Sequence, residues 1–190
     1  MAQLILEPTT IAQWQRLVQE ALSNAFLTLD EELESYLVFL LARCCGKTDI
    51  LQRIMVLEYL HSLAAQGCVR NERLRDVGDH CLLFAGLFPH VARKRLVRTS
   101  YFVRLGRSAY QQLSEALNKS AARLYSDLST AFITLMDVLQ SMRELQGVPC
   151  LSPIDAFDLL QDTGSERARK TLRHYTGGEP VSIASLSWRQ

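Results

Sequence analysis

The chain has 190 residues, of which 48% are hydrophobic and 22% charged, and its net charge is +1. That composition fits one soluble globular domain able to bury roughly 70% of its unfolded surface, and it excludes an intrinsically disordered chain. The charge is unevenly spread: residues 67–125 carry 11 basic and 4 acidic side chains, against 4 and 8 in residues 1–66 and 6 and 8 in residues 126–190.

Helical periodicity recurs along the chain, and alternation of period two appears nowhere over a useful length. Thr9 or Thr10 caps a first helix, whose stripe is Ile11, Trp14, Val18, Ala21, Leu22 and Ala25. Thr28 to Glu31 has capping-box spacing and opens a second helix that runs to Gly46. Its middle, Tyr36 to Ala42, is apolar on nearly every face, which places it centrally and covered on both sides. Asp49 caps a third helix ending at Gly67, with Ile50, Ile54, Leu57, His61 and Ala64 as its packed seam. A fourth covers about 70–88 and is broken by Pro89. After a short turn, a fifth runs from Thr99 to Leu117 and buries Tyr101, Phe102, Leu105, Ala109, Leu113 and Leu117. An unbroken stripe from Leu124 to Leu145 predicts a sixth helix over 120–146, roughly 40 Å long. Ser152-Pro153 opens a short helix to Leu160, and Ser165 to Tyr175 forms a last, basic one. Residues 1–176 form the helical domain, and 177–190 an extended tail that Trp188 docks.

Five cysteines, Cys44, Cys45, Cys68, Cys81 and Cys150, form no C-x-x-C pair. Three of them lie in apolar surroundings, which predicts free thiols in a reducing, cytoplasmic setting. The N-terminus lacks the basic region and long apolar core of a signal peptide. The most apolar run is far short of the ~20 residues that cross a membrane.

The stretch 75–110 concentrates the candidate chemistry. Asp76, Asp79 and His80 share one helical face at i, i+3 and i+4. They form either a solvated first turn and a half or a polar functional face. The apolar run from Cys81 to Phe88 follows directly and would draw Asp79 inward, where a carboxylate needs a partner. The chain reversal at Pro89 predicts that this partner is an arginine or tyrosine of residues 93–110, with Arg95, Arg98 and Tyr101 completing a polar site. Gly78, Gly86 and Gly106, inside helices, predict close approach of another backbone. Glu58 and His61 form E-x-x-H, a spacing used twice in di-iron bundles, but the second copy is missing. Arg93, Lys94, Arg95, Arg98, Arg104 and Arg107 form a basic run beside Tyr101 and Phe102. It either binds phosphate groups or pairs with the acidic outer parts of the chain. No phosphate-loop, nucleophile-elbow, recognition-helix or RNA-binding motif is present.

The pattern Arg75-Asp76-Val77-Gly78-Asp79, then Gly86, Phe88-Pro89, Tyr101-Phe102, Leu105-Gly106 and Ala109-Tyr110, resembles a family of bacterial all-helical proteins. The resemblance covers mainly residues 70–115 and implies a bacterial, cytoplasmic, helical protein, with no catalytic residue to carry over.

These readings predict an all-α single-domain bundle of seven or eight helices, with the second helix and the long sixth at its centre. The leading functional expectation is a non-enzymatic interaction or regulatory module that acts through helix faces, with a protein partner or a second copy as a homodimer. It carries no cofactor, nucleic-acid or membrane role. The alternative is a small-molecule or metal-dependent enzyme using Glu58, His61, Asp79 and His80 between helices.

Overall fold

The computed structural model describes residues 10–44, 54–145 and 149–178, and the described residues contain ten helices and no strand. They are α1 (Thr10–Ala25), α2 (Glu31–Cys44), α3 (Met55–Ala64), α4 (Gly67–Gly86) and α5 (Pro89–Lys94), then α6 (Thr99–Ala116), α7 (Lys119–Thr130), α8 (Phe132–Arg143), α9 (Pro153–Thr163) and α10 (Glu166–Thr176). The protein is all-α. Cys45, Gly46, Asp49, Ile50, Gly147 and Trp188, to which the sequence assigned thiol, cap, seam, stop and docking roles, lie outside the described residues.

The count exceeds seven or eight because the basic turn after Pro89 is a helix of its own and the expected long helix is two. Ala131, with ψ near 5°, separates α7 from α8. No proline or glycine stands at the joint. The Thr130 hydroxyl donates to the Ser126 carbonyl at 3.0 Å, and the Ser129 hydroxyl crosses to the Arg107 carbonyl of α6 at 3.1 Å. Hydroxyl bonding to the carbonyl one turn back bends helices. The apolar stripe continues through the joint because Leu128 and Leu135 are buried on both sides of it.

The caps are chemically legible. Ser152 accepts from the Asp155 amide ahead of Pro153, and Ser165 accepts from the Ala168 amide. Gly164 and Gly177, both at positive φ, close α9 and α10. The second helix begins later than its capping-box spacing suggests: the Asp30 carbonyl accepts the first helical bond, from Glu34.

The centre is held by α4 and α8, not by α2. From Val77 to Gly86 every residue of α4 except His80 is buried, and α8 is buried without a break from Leu135 to Ser141. Helix α4 packs on α3, α5, α6 and α8, while α8 also meets α1 and α10. Helix α2 buries Leu33, Leu37, Val38, Leu40 and Leu41 but leaves Phe39 exposed, so it is covered on one side only.

Three glycines set the crossings. A Cβ at Gly78 would stand 2.3 Å from the Tyr110 ring of α6. At Gly86 it would meet Leu139 of α8 at 2.4 Å, and at Gly106 it would meet the Phe132 ring at 2.5 Å. The sequence predicted approach of a backbone at these positions. The neighbour in each case is a large side chain seated in the groove that the missing Cβ leaves.

Gly86→Ala is therefore expected to lower the unfolding free energy by ~1–3 kcal/mol through overpacking, whereas Gly178→Ala, in open space, should change it by under ~0.5 kcal/mol. Urea unfolding of the two variants measures this difference.

Candidate functional site

Asp79 lies on the fourth turn of α4, at the start of its buried length, and is 1% exposed. Its Oδ1 accepts from the Tyr110 hydroxyl of α6 at 2.7 Å and from the Tyr36 hydroxyl of α2 at 2.6 Å. Its Oδ2 pairs with the Arg43 guanidinium at the end of α2. Tyr110 belongs to the segment from which the sequence expected a partner. The arginine does not: it comes from α2, which packs beside α7, and no residue of the 93–107 run reaches the carboxylate. Tyr125 of α7 completes a ring of three tyrosines, with centroids 5.9–6.4 Å apart.

Burial pushes the Asp79 carboxyl up, against Arg43 and the two hydroxyl donors. Burial also raises Tyr36 and Tyr110 well above an ordinary phenol, and the adjoining Asp79 charge adds to both shifts. All three tyrosines thus stay protonated, and Tyr36 and Tyr110 act as donors. The cluster ties α2, α4 and α6 together around one charge. Its acceptor atoms are filled by the protein's own donors, so its chemistry is that of a buried joint.

The other residues of the expected polar site disperse. Asp76 is half-exposed and pairs with its neighbour Arg75 at 3.4 Å. His80 is half-buried on α4. Arg95 lies over the Phe84 ring at 5.3 Å, and Tyr101 packs edge-on against Phe102. Arg98 bridges Asp158 and Asp162 of α9 at 3.5 and 3.6 Å.

The expected seam of α3 faces the other way. Ile54, Leu57, His61 and Ala64 are exposed, and the helix buries Met55 and Ser62, with Tyr59 half-buried. The seam rested on spacing alone, and α3 is apolar on too many faces for spacing to choose one. Glu58 and His61 lie on this outward helix, apart from the filled Asp79 cluster. Among the described residues, no group of three or more His, Cys, Asp or Glu side chains is placed to hold a metal ion.

The basic run is sorted by its neighbours. Arg93 pairs with Asp155 and Arg98 with Asp158 and Asp162, both across to α9 in the acidic last part of the chain. Lys94 is exposed on α5. Arg104 and Arg107, one turn apart on α6, instead line an open groove of about 600 Å³ bounded by Tyr59, Gln111, Gln112 and Ser129. A second cavity, of about 370 Å³, is apolar. Ile54, Met55, Val56, Val97, Tyr101 and Phe102 line it, with Arg95 at its edge.

One further polar cluster escaped the sequence. Asp137, buried on α8, accepts from the Ser165 hydroxyl at 2.6 Å and from the Arg167 amide at 3.2 Å, at the N-terminus of α10. Glu144, the buried residue that caps the end of α8, takes the Cys150 amide at 2.6 Å and the Arg167 guanidinium. The only signal was an aspartate within the apolar run from Leu135 to Leu139.

The four described cysteines, Cys44, Cys68, Cys81 and Cys150, are free. Among the described residues no helix is long and apolar enough to cross a membrane. No family model matches the chain, and neither a curated protein nor a solved structure matches it.

Removing a buried charge's partner, or the charge itself, is expensive when donors are left behind. Asp79→Ala is expected to cost ~3–5 kcal/mol of stability and Asp76→Ala under ~1 kcal/mol, as read by chemical denaturation. Equal, small losses would mean that Asp79 is not the joint described.

Burial pushes Asp137 up to about 6, against the Ser165 and backbone donors. Its folded-state pKa thus exceeds its unfolded value of 3.8, so the folded state binds the proton more tightly between those pH values. Stability from this group falls as pH rises through that window. The melting temperature of Asp137→Asn minus that of the unsubstituted protein should therefore become more positive between about pH 4 and about pH 7.

Proposed function

We propose that the protein is a non-enzymatic helical interaction module that pairs with a second copy of itself through Leu96 and the outer face of α3. One observation carries this reading. Leu96 follows α5 at φ 56°, in the left-handed region, and is 94% exposed. A leucine there costs about 1–2 kcal/mol in backbone strain, and glycine is the ordinary residue for this helix-closing position. The local bonds, Leu96 amide to Arg93 carbonyl and Val97 amide to Ala92 carbonyl, need only the backbone. At that exposure the leucine side chain gains almost nothing from the described residues.

Beside it lies its complement. Arg95 and Val97, which flank Leu96 in the chain, line the apolar cavity of about 370 Å³. Knob and hole thus share one surface, the condition for an isologous interface in which each copy fills the other. The apolar surface continues along α3, where Ile54, Val56, Leu57, Leu60 and Leu63 are all exposed. Burying such side chains fully stabilises by roughly 1.5–3 kcal/mol each. A contiguous apolar face of this kind marks an interaction site.

The charges at the rim suit the same occupant. Glu58 stands on the α3 side and Lys94 on the α5 side, and neither has an ion-pair partner among the described residues. A two-fold axis between knob and hole brings the α5 side of one copy to the α3 side of the other. That sets the lysine of each copy beside the acid of its mate. The cytoplasmic setting and the kinship to bacterial helical proteins expected from the sequence belong to this same reading.

Sedimentation velocity or light scattering over a dilution series tests it. The protein should be dimeric at on the order of 10 μM, and Leu60→Glu should make it monomeric. Leu96→Gly should weaken pairing about tenfold or more while raising the stability of the monomer by roughly 1 kcal/mol, since it relieves the strained backbone. A chain that stays monomeric at on the order of 100 μM would refute the reading.

A further inference from the structure

We infer that the groove between α6, α3 and α7 is a binding site for a phosphorylated small molecule of about mononucleotide size, held by Arg104 and Arg107. The six cations of the basic run do not share one fate. Arg93 and Arg98 are matched by carboxylates, and Arg95 lies on an aromatic ring. Arg104 has no hydrogen-bond or ion-pair partner among the described residues, and Arg107 has no carboxylate. Two like charges three residues apart on one helix face repel each other. An anion between them turns that repulsion into attraction.

Arg107 is also held in place. Its Nε donates to the Ser129 carbonyl at 3.1 Å, and the Ser129 hydroxyl donates back to the Arg107 carbonyl at 3.1 Å. That pair of bonds between α6 and α7 occupies Nε and tethers the guanidinium at the groove wall, and among the described residues no bond engages its two terminal nitrogens. A planar, fixed arginine is suited to bidentate recognition of phosphate oxygens.

The remaining lining fits the rest of such a ligand. Among the described residues no acidic side chain lines the groove. The nearest acid along α6, Glu115, accepts from the Gln111 amide at 3.1 Å. Gln112 is positioned twice: Arg70 donates to its Oε1 at 3.1 Å, and its Nε2 donates to the Tyr59 hydroxyl. Tyr59 thereby presents a held ring at the wall. The groove, at about 600 Å³, lies within the range of roughly 300–1,000 Å³ typical of small-molecule sites and is far roomier than a lone phosphate needs. The groove and the Tyr101–Phe102 cavity share no lining residue, Arg104 standing one turn beyond Tyr101 along α6.

Isothermal titration calorimetry with adenosine 5′-monophosphate, pyrophosphate, adenosine and a short single-stranded RNA tests the inference. The monophosphate should bind with a submillimolar dissociation constant, and adenosine at least about tenfold more weakly, as expected for loss of charge-assisted hydrogen bonds. Arg104→Gln should weaken the monophosphate about tenfold while leaving the ligand-free melting temperature unchanged, because that side chain holds no other element. Three results would overturn the proposal: no binding of monophosphate or pyrophosphate at about 10 mM, equal affinity in Arg104→Gln, or RNA bound more than about 100-fold tighter than the monophosphate. The last would make the groove part of a nucleic-acid surface instead.

Discussion

The burial of the Asp79 carboxylate is the constraint on which the packing of α2, α4 and α6 depends. An ionised group at 1% exposure loses nearly all its hydration, and the loss is tolerable only if donors replace it. Here two tyrosine hydroxyls and one guanidinium do so, from two other helices. Each donor has a fixed reach. The positions of α2 and α6 against α4 are therefore specified more narrowly than apolar contact alone would specify them. The three tyrosine rings add area and edge-to-face contact around the same charge.

Glycine chemistry acts beside this charge. Gly78 immediately precedes Asp79, and the Tyr110 ring occupies the space that a Cβ would fill. The ring can bring its hydroxyl to Oδ1 only because the backbone of α4 is bare there. Gly86 does the same for Leu139 of α8, and Gly106 for Phe132. Polar joint and steric recesses thus cooperate: the recess sets the depth of the helix contact, and the carboxylate sets its register. On the far side of α8, Asp137 performs a related task for α10 by accepting from the first turn of that helix, where the helix dipole favours an anion.

With the Asp79 and Asp137 carboxylates paired in this way, further unspent chemistry lies outside. The apolar outer face of α3, the strained Leu96 and the two unmatched arginines of α6 have no counterpart within the described residues. They fall on two separate surfaces of opposite character, one apolar and one cationic. The proposed pairing face and the proposed ligand groove meet on one element, since Tyr59 and the exposed leucines belong to the same helix α3.

Much of the architecture was determined by the sequence itself. The 3.6-residue periods and the serine caps before Pro153 and Glu166 act over a single turn, so helix class, the starts of α1 and α9 and the bounds of α6 and α10 follow, to within a residue, from local chemistry, whereas α9 runs past the expected Leu160 to Thr163. So does the inward pull on Asp79, which precedes an apolar run. Tertiary structure decided the rest. Which helix supplies the arginine depends on the chain crossing between α2 and α4, separated by 36 residues, and no local pattern encodes it. Which face of α3 turns inward was decided by competition between two apolar faces, and the packing of Met55 and Tyr59 prevailed over the expected seam. The division of the basic run into paired and unpaired arginines arose from where α9 comes to rest. These are long-range pairings, and their energies exist only once distant segments meet.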